Sequence, residues 1–331
     1  MKICAIRKYL NLSCQRRLLV ATTLFCGVAA AQPYPSKPIR LLVPFPPGGG
    51  VDAVARIAFQ RVGEQLQQQI VIDNRGGSSG IVATELAARA VPDGYTLFFG
   101  VTSSLAILPH YQRKLPYDVM TDFAPVNLIA EGAYILAVHP AVQAASVKEL
   151  IALARQKPGA LNFSSAGNGT MLHLNGELFK SLTGINIVHI PYKGAVAAMA
   201  DLFSGQVQMA FNPPSVTLPH MKGARVRGLA VTSAKRSALA PDLPTIAEAG
   251  VPGYEATGWY AVLAPARTPA PIIARLNREL LSAIADREVR ERFFANGVEA
   301  LGTSPEQFAA FIRSEYAKWG KVVRAAGVKS E

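Results

Sequence analysis

The 331 residues carry 34 lysines and arginines against 22 aspartates and glutamates, with 27 glycines, 23 prolines and 3 cysteines, and 50% of them are hydrophobic. A chain of this length can bury two cores of ordinary size without disulfide staples. Its basic residues are scattered, with no arginine-rich run interleaved with aromatics, which excludes nucleic acid as the expected partner and favours small anionic solutes.

Residues 1–31 read as an export signal. Lys2, Arg7, Lys8, Arg16 and Arg17 precede an apolar run over 18–30, and Ala29-Ala30-Ala31 supply the small residues of a cleavage site before Gln32. The run is too short and wrongly flanked for an anchor, and no later stretch approaches the ~20 apolar residues of a spanning helix. Arg16-Arg17 followed by two leucines fits twin-arginine export or an ordinary charged leader. Phe25 ahead of Cys26 argues against a lipoprotein site. Cys4, Cys14 and Cys26 all fall inside the leader, so the mature chain is expected to have no thiol chemistry. Loss of the leader removes five cations and no anions, taking the formal charge from +12 to +7.

From Ile39 onward short apolar β-rich runs alternate with helical periodicity, the pattern of a parallel α/β sheet. Strands are expected at Ile39–Val43, 70–72, 96–99, 126–129, 134–138, 161–164, 187–190, 207–211, 226–231 and 260–263. Helices are expected at 51–68, 81–90, Val147–Gln156, 172–182, 195–203, 272–285 and 305–326, the last opened by a Ser304/Gln307 capping box with Pro305 at its first position. Around 130–133 and 256–259 strand runs into strand through small residues, which reads as two crossings between sheets. The expected organisation is one discontinuous domain, 33–132 plus 257–331, and a second at 133–256, with a cleft where ligands meet the strand C-termini.

The segment Pro44-Phe45-Pro46-Pro47-Gly48-Gly49-Gly50-Val51-Asp52 joins the first strand to the first helix. The prolines hold it extended and lack N–H groups, while Phe45 and the glycines supply them. With the helix N-terminus behind it, this loop is an expected cradle for a carboxylate or phosphate. No Lys-Ser or Lys-Thr follows, and Gly-x-Gly-x-x-Gly is missing, so neither a Walker loop nor a dinucleotide fingerprint is present. A second strand-to-helix loop, Ser164-Ser165-Ala166-Gly167-Asn168-Gly169-Thr170, carries hydroxyl, amide and glycine donors and falls in the other domain. Two helix N-termini facing across a cleft would hold a carboxylate without a buried arginine.

Other groups are weaker. His110, His139, His173, His189 and His220 show no metal-ligand spacing, so no metal and no cofactor is expected. His173 lies one turn into the helix after the second loop; Lys193 and Gly194 follow a strand; Asn212 ends one; Trp259 and Tyr260 sit at the second crossing, either as cleft walls or as core. Gly76-Gly77-Ser78-Ser79-Gly80 matches a nucleophile elbow, but Asn74 and Arg75 separate it from the strand and no His-Gly-Gly-Gly segment accompanies it. A secreted serine hydrolase using Ser78 is the alternative from another class.

The opening loop, Asn74-Arg75-Gly76-Gly77, Pro92-Asp93-Gly94-Tyr95-Thr96-Leu97, Asp122-Phe123-Ala124-Pro125-Val126, Pro191-Tyr192-Lys193-Gly194, Asp201-Leu202 with Gly205-Gln206-Val207, Pro241-Asp242-Leu243-Pro244-Thr245 and Pro265-Ala266-Arg267-Thr268-Pro269, taken in this order, resemble the Bug family. These are the TctC-like substrate-binding receptors of tripartite tricarboxylate transporters. The resemblance implies a type II periplasmic binding protein fold, a Venus flytrap of two Rossmann-like α/β domains around a hinge and an interdomain cleft. It implies a non-enzymatic, monomeric periplasmic protein that delivers a small carboxylate to membrane permease subunits, or a sensor presenting ligand to a membrane kinase. The ligand range it implies is a mono-, di- or tricarboxylate or an acidic amino acid, and the individual ligand does not carry over. Loops 45–50 and 164–170 map onto the family's carboxylate clamp. The expected ligand-binding set is Phe45, Pro46, Pro47, Gly48, Gly49, Asp52, Ser103, Ser165, Gly167, Asn168, Gly169, Thr170, His173, Lys193, Gly194 and Asn212.

Overall fold

Strand β1 (Ile39–Val43) pairs in parallel with β2 (Ile70–Asn74) on one side and β3 (Thr96–Val101) on the other, as three consecutive strand–helix units require. Helix α1 (Gly50–Leu66) connects β1 to β2, and α2 (Ile81–Ala88) connects β2 to β3 on the far side of β1. After β3 the chain makes a π-helical turn, Ser103–Ile107, and a short helix α3 (Leu108–Tyr111), then runs into the long strand β4 (Phe123–Gly132). The computed structural model describes residues 34–112, 114–325 and 327. The expected leader and its cleavage site lie outside these residues, as does Ala326, the expected last residue of the final helix.

Beyond Gly132 the chain leaves this sheet and builds a second from β5 (Ile135–Val138), β6 (Asn162–Ser165), β7 (Val188–Pro191), β8 (Met209–Asn212) and β9 (Arg227–Val231). Between them lie α4 (Val147–Gln156), α5 (Met171–Thr183), α6 (Ala195–Ser204) and α7 (Pro214–Lys222). It then returns as β10 (Gly258–Pro265), followed by α8 (Ala270–Ala285), α9 (Arg287–Ala295), β11 (Glu299–Ala300) and α10 (Pro305–Ala325). The sheet orders are β11-β4-β10-β3-β1-β2 and β7-β6-β8-β5-β9.

Neither sheet is wholly parallel, contrary to the expectation from alternation. Strand β10 runs antiparallel to both β3 and β4, and β5 runs antiparallel to both β8 and β9. These reversals belong to the strands that cross between sheets: a chain entering a sheet from the other one has no local helix to turn it round. Helix α7 also departs from expectation. Residues 212–215 read as a strand-end loop, yet Pro214 begins a helix, where proline's missing N–H costs nothing.

The crossings are built on glycine. A Cβ on Gly132 would collide with the Gly297 carbonyl and Val298, and one on Gly258 would collide with the Tyr134 ring. Gly132 and Gly258 are themselves cross-strand partners. Beside them Tyr134 N–H donates to Thr232 Oγ1 at 2.8 Å and Thr232 N–H to the Tyr134 carbonyl at 2.9 Å. The two crossing segments are therefore stitched side by side.

From Lys37 onward the chain is one compact unit, and its largest apolar cluster runs from Leu42 and Phe98 in the first sheet to Phe163 and Phe211 in the second. Helix α10 closes one flank through Glu315, whose Oε2 accepts from both Trp259 Nε1 and Trp319 Nε1 at 2.9 Å. Its start shows the expected capping box: Ser304 N–H donates to Gln307 Oε1 at 2.8 Å and Gln307 N–H to Ser304 Oγ at 3.2 Å.

Candidate ligand-binding cleft

The loop after β1 is held by one buried carboxylate. Asp52 Oδ2 accepts from the Gly48 amide at 3.0 Å, Asp52 Oδ1 from Asn74 Nδ2 at 3.0 Å, and Arg56 Nε reaches both oxygens at 2.9 and 3.0 Å. Asn74 Nδ2 also donates to the Phe45 carbonyl at 2.9 Å. Burial acts to raise the Asp52 pKa, but the hydrogen bonds from Arg56, Gly48 and Asn74 outweigh it and hold the carboxyl below its ordinary value. Gly48 turns the chain with φ +83, a conformation other residues resist.

Two of the expected ligand contacts, Gly48 and Asp52, are absent from the cleft lining. Asp52 and the Gly48 amide are spent on each other. Phe45, Pro46, Pro47, Gly49, Gly50 and Val51 do. The first-turn amides of a helix have no intrahelical acceptor, so α1 presents N–H groups to this space.

The second loop is anchored from beneath by two stacked imidazoles. The rings of His173 and His189 lie 4.0 Å apart at 20°, with the Phe163 ring 4.9 Å from His189. Ser165 Oγ and His189 Nε2 are hydrogen-bonded at 2.6 Å, and the Gly169 amide donates to His173 Nδ1 at 3.1 Å. Burial lowers the His173 pKa to about 3 and that of His189 to about 4, so both are neutral near pH 7. Thr170 caps α5, accepting from the His173 amide at 3.4 Å and donating to the Gly167 carbonyl at 2.7 Å.

Of the expected residues in this loop only Thr170 borders the cleft, together with Ala166, Met171 and Leu172. Ser165, Gly167, Gly169 and His173 are absent from the lining, and the Asn168 carbonyl accepts from Ser79 Oγ at 2.5 Å, tying this loop to the segment between β2 and α2. Asn212 is likewise turned away: it is fully buried, its Nδ2 meets Met199 Sδ at 2.8 Å, and Pro213 lines the cleft instead.

Lys193 and Gly194 line the cleft, and the helix they precede, α6, also points its N-terminus inward, with Ala195 and Val196 in the lining. Lys193 is exposed and has no ion pair among the described residues. Ser103, buried in the π-helical turn, borders the cleft beside Val101 and Thr102. Tyr134, Gly258, Trp259 and Tyr260 close the side formed by the crossings. The cavity measures about 220 Å³. It is mostly apolar, with N-termini of α1, α5 and α6 converging on it from both sheets, a geometry suited to an anion with an apolar body.

Tyr134 was missed because β-rich spacing assigns it to the start of a strand. Its signal was its position immediately after a crossing. Met171, Leu172 and Val196 carried no signal of their own, since apolar residues in a helix's first turn look like core.

Ser78 is exposed, and no histidine is hydrogen-bonded to it among the described residues. Nor do three His, Cys, Asp or Glu side chains gather as a metal site among them. No described helix is long and apolar enough to cross a membrane.

Two mixed α/β sheets joined by paired crossing strands, with helix N-termini around the intervening cleft, define a type II periplasmic binding protein. Residues 54–328 match the model of the tripartite tricarboxylate transporter family receptor, and the chain belongs to that family. It is 36% identical to protein BugT of Bordetella pertussis over 313 residues, 94% of this chain and 96% of that one. Among solved structures, Rpa4515 of R. palustris with adipate is 38% identical with a TM-score of 0.86, covering 89% of this chain and 99% of that one. MatC from Rhodopseudomonas palustris with bound malate is 29% identical with a TM-score of 0.82, covering 88% and 100%.

Proposed function

We propose that this chain is an extracytoplasmic receptor that captures a small carboxylate and hands it to the membrane subunits of a tripartite tricarboxylate transporter. The observation that carries the reading is the convergence of three helix N-termini, drawn from both sheets, on one apolar-walled cleft. Carboxylates bound to similar proteins, adipate in one and malate in another, support it.

In this reading residues 1–31 direct export and are removed, and the receptor works in the periplasm. Residues 33–132 with 257–331 form one lobe and 133–256 the other, hinged at the paired crossings. Amides of Gly49, Gly50 and Val51 in one lobe, and of Met171, Leu172 and the start of α6 in the other, hold the carboxylate. A ligand touching both lobes binds the closed form better than the open one, and that difference drives closure.

The test is a thermal-shift screen of leader-free, refolded protein against mono-, di- and tricarboxylates and acidic amino acids. A ligand at 100 times its Kd should stabilise by about 2.7 kcal/mol. No shift with any carboxylate would refute the reading.

A further inference from the structure

Polar side chains around the cleft are nearly all engaged elsewhere. Thr170 is bonded to the Gly167 carbonyl, Thr102 Oγ1 accepts from the Trp259 amide at 2.8 Å, and Trp259 Nε1 is held by Glu315. Among the buried polar side chains of the lining, only Ser103, Tyr134 and Tyr260 keep a hydroxyl without a partner among the described residues. Ser103 follows β3, the neighbour of β1, and so stands at the end of the cleft occupied by the glycine loop. The tyrosines stand at the crossings.

Both tyrosines are 8% exposed. Among the described residues the sealed and unpaired side-chain atoms include Gln65 Oε1, Ser164 Oγ, Asn175 Nδ2 and Asn212 Oδ1; the tyrosine oxygens are not sealed in this way, and both tyrosines line the cleft. Buried tyrosine hydroxyls ordinarily find a partner. Two without one, bordering a single cavity, mark a place that a ligand oxygen fills.

Their setting is fixed. The hydroxyl end of the Tyr134 ring lies against Gly258, where only a glycine leaves room for it, and Tyr260 is two residues further along β10, in register with Val101 and Ala130. Burial, with Tyr260 nearby, pushes Tyr134 well above the ordinary tyrosine pKa, and burial pushes Tyr260 up to about 12. Both remain neutral donors across the physiological range. Val101, Met171 and Leu172 supply apolar walls to the same cleft.

We propose that the Tyr134 and Tyr260 hydroxyls are a second recognition point, selecting carboxylates whose apolar body, a ring or a methylene chain, ends in one further oxygen group that accepts from a phenol. The inference rests on the carboxylate-receptor reading above. A citrate-like acid, with three carboxylates on a short body, asks for more donors than these walls carry.

The experiment is calorimetric titration of leader-free protein and of Tyr134→Phe and Tyr260→Phe, which keep the rings. The probes are hexanoate against adipate, benzoate against 4-hydroxybenzoate, and citrate. In the parent protein the acid bearing the far oxygen group should bind more tightly in at least one pair, with citrate weakest. The pair that responds tells a methylene-chain ligand from an aromatic one. In each variant the ratio of Kd within that pair should shrink about three- to tenfold, the worth of one hydrogen bond. Ligand-free melting near the parent's confirms that the variants fold. Ratios that survive both substitutions would overturn the tyrosine assignment while leaving the receptor reading intact; no binding of any acid would overturn both.

Discussion

Replacing Asp52 by Asn probes whether the glycine loop is pre-shaped. The substitution keeps size and removes charge. It turns one of two acceptor oxygens into a donor, which must then face either the Gly48 amide or Asn74 Nδ2, both now at 3.0 Å. One buried polar group left unsatisfied costs about 1–3 kcal/mol. The Arg56 pair adds little, since that arginine side chain is 51% exposed and such pairs contribute about 0.2–1 kcal/mol. A total of roughly 2–3 kcal/mol lowers the melting midpoint by about 3–5 °C in a chain of this size. Because the same bonds hold the amides of Gly49 and Gly50 in place, carboxylate affinity should fall about tenfold as the loop's ordering is charged to binding. The acid limb gives a second readout. With a folded pKa below the unfolded 3.8, Asp52 adds stability that is present above that value and lost as pH falls through the folded one. The variant's stability should therefore be flatter below pH 4. Differential scanning calorimetry at several pH values, with titration calorimetry at pH 7, measures both effects. An Asp52→Asn protein with parental midpoint and parental affinity would refute the view that this carboxylate shapes the loop.

Gly49→Val should abolish most carboxylate binding while leaving the ligand-free midpoint near parental, since a Cβ there meets only the Pro46 carbonyl, at 3.9 Å, and the branched side chain extends into the cleft; unchanged affinity in titration calorimetry would contradict recognition at this position. The His173–His189 pair, with pKa values of about 3 and 4 against 6.5 unfolded, contributes stability that is complete above pH 6.5 and lost as pH falls toward 4. At pH 5 the loss is about 2 kcal/mol for each imidazole, so the urea midpoint should fall between pH 7.5 and 5, less steeply in His189→Gln; parallel slopes would exclude the pair as the cause. Ser78→Ala should leave carboxylate affinity within about twofold, and neither protein should hydrolyse an activated ester; turnover that disappears in the variant would establish the hydrolase alternative.

Periodicity located the elements that carry this site, because each strand and helix there is long enough to show its period. Val147–Gln156 and Ile39–Val43 occur with the expected limits. What stayed hidden was set by contacts distant in sequence. The reversal of β10 depends on which sheet edge the returning chain meets. Strand β11 is two residues long and exists only because β4 supplies its partner. Helix α7 was masked by its own prolines, with Pro219 even inside it. At the cleft the two loops were legible, since glycine after a strand and before a helix has few other uses. Within them, Asp52, Ser165 and His173 hydrogen-bond to their own loops, and a carboxylate, serine or histidine beside a glycine loop stiffens the loop as readily as it reaches a solute. Tyr134 lay beyond local reading, because its exposure to the cleft follows from Gly258, 124 positions later in the chain.

The pairing of Asp52 with Arg56 has a consequence for where such a receptor can operate. Together they leave no unbalanced formal charge under the glycine loop, and amides, which carry dipoles and no net charge, are left to hold the carboxylate. Attraction of that kind acts at hydrogen-bond range in a partly dry space, where mobile ions screen weakly. The glycine loop should thus add little salt dependence to capture, and what there is should come from exposed Lys193 in the lining. In surroundings of changing ionic strength, that loop's share of the attraction would then track how much solute is present and not how salty the water is.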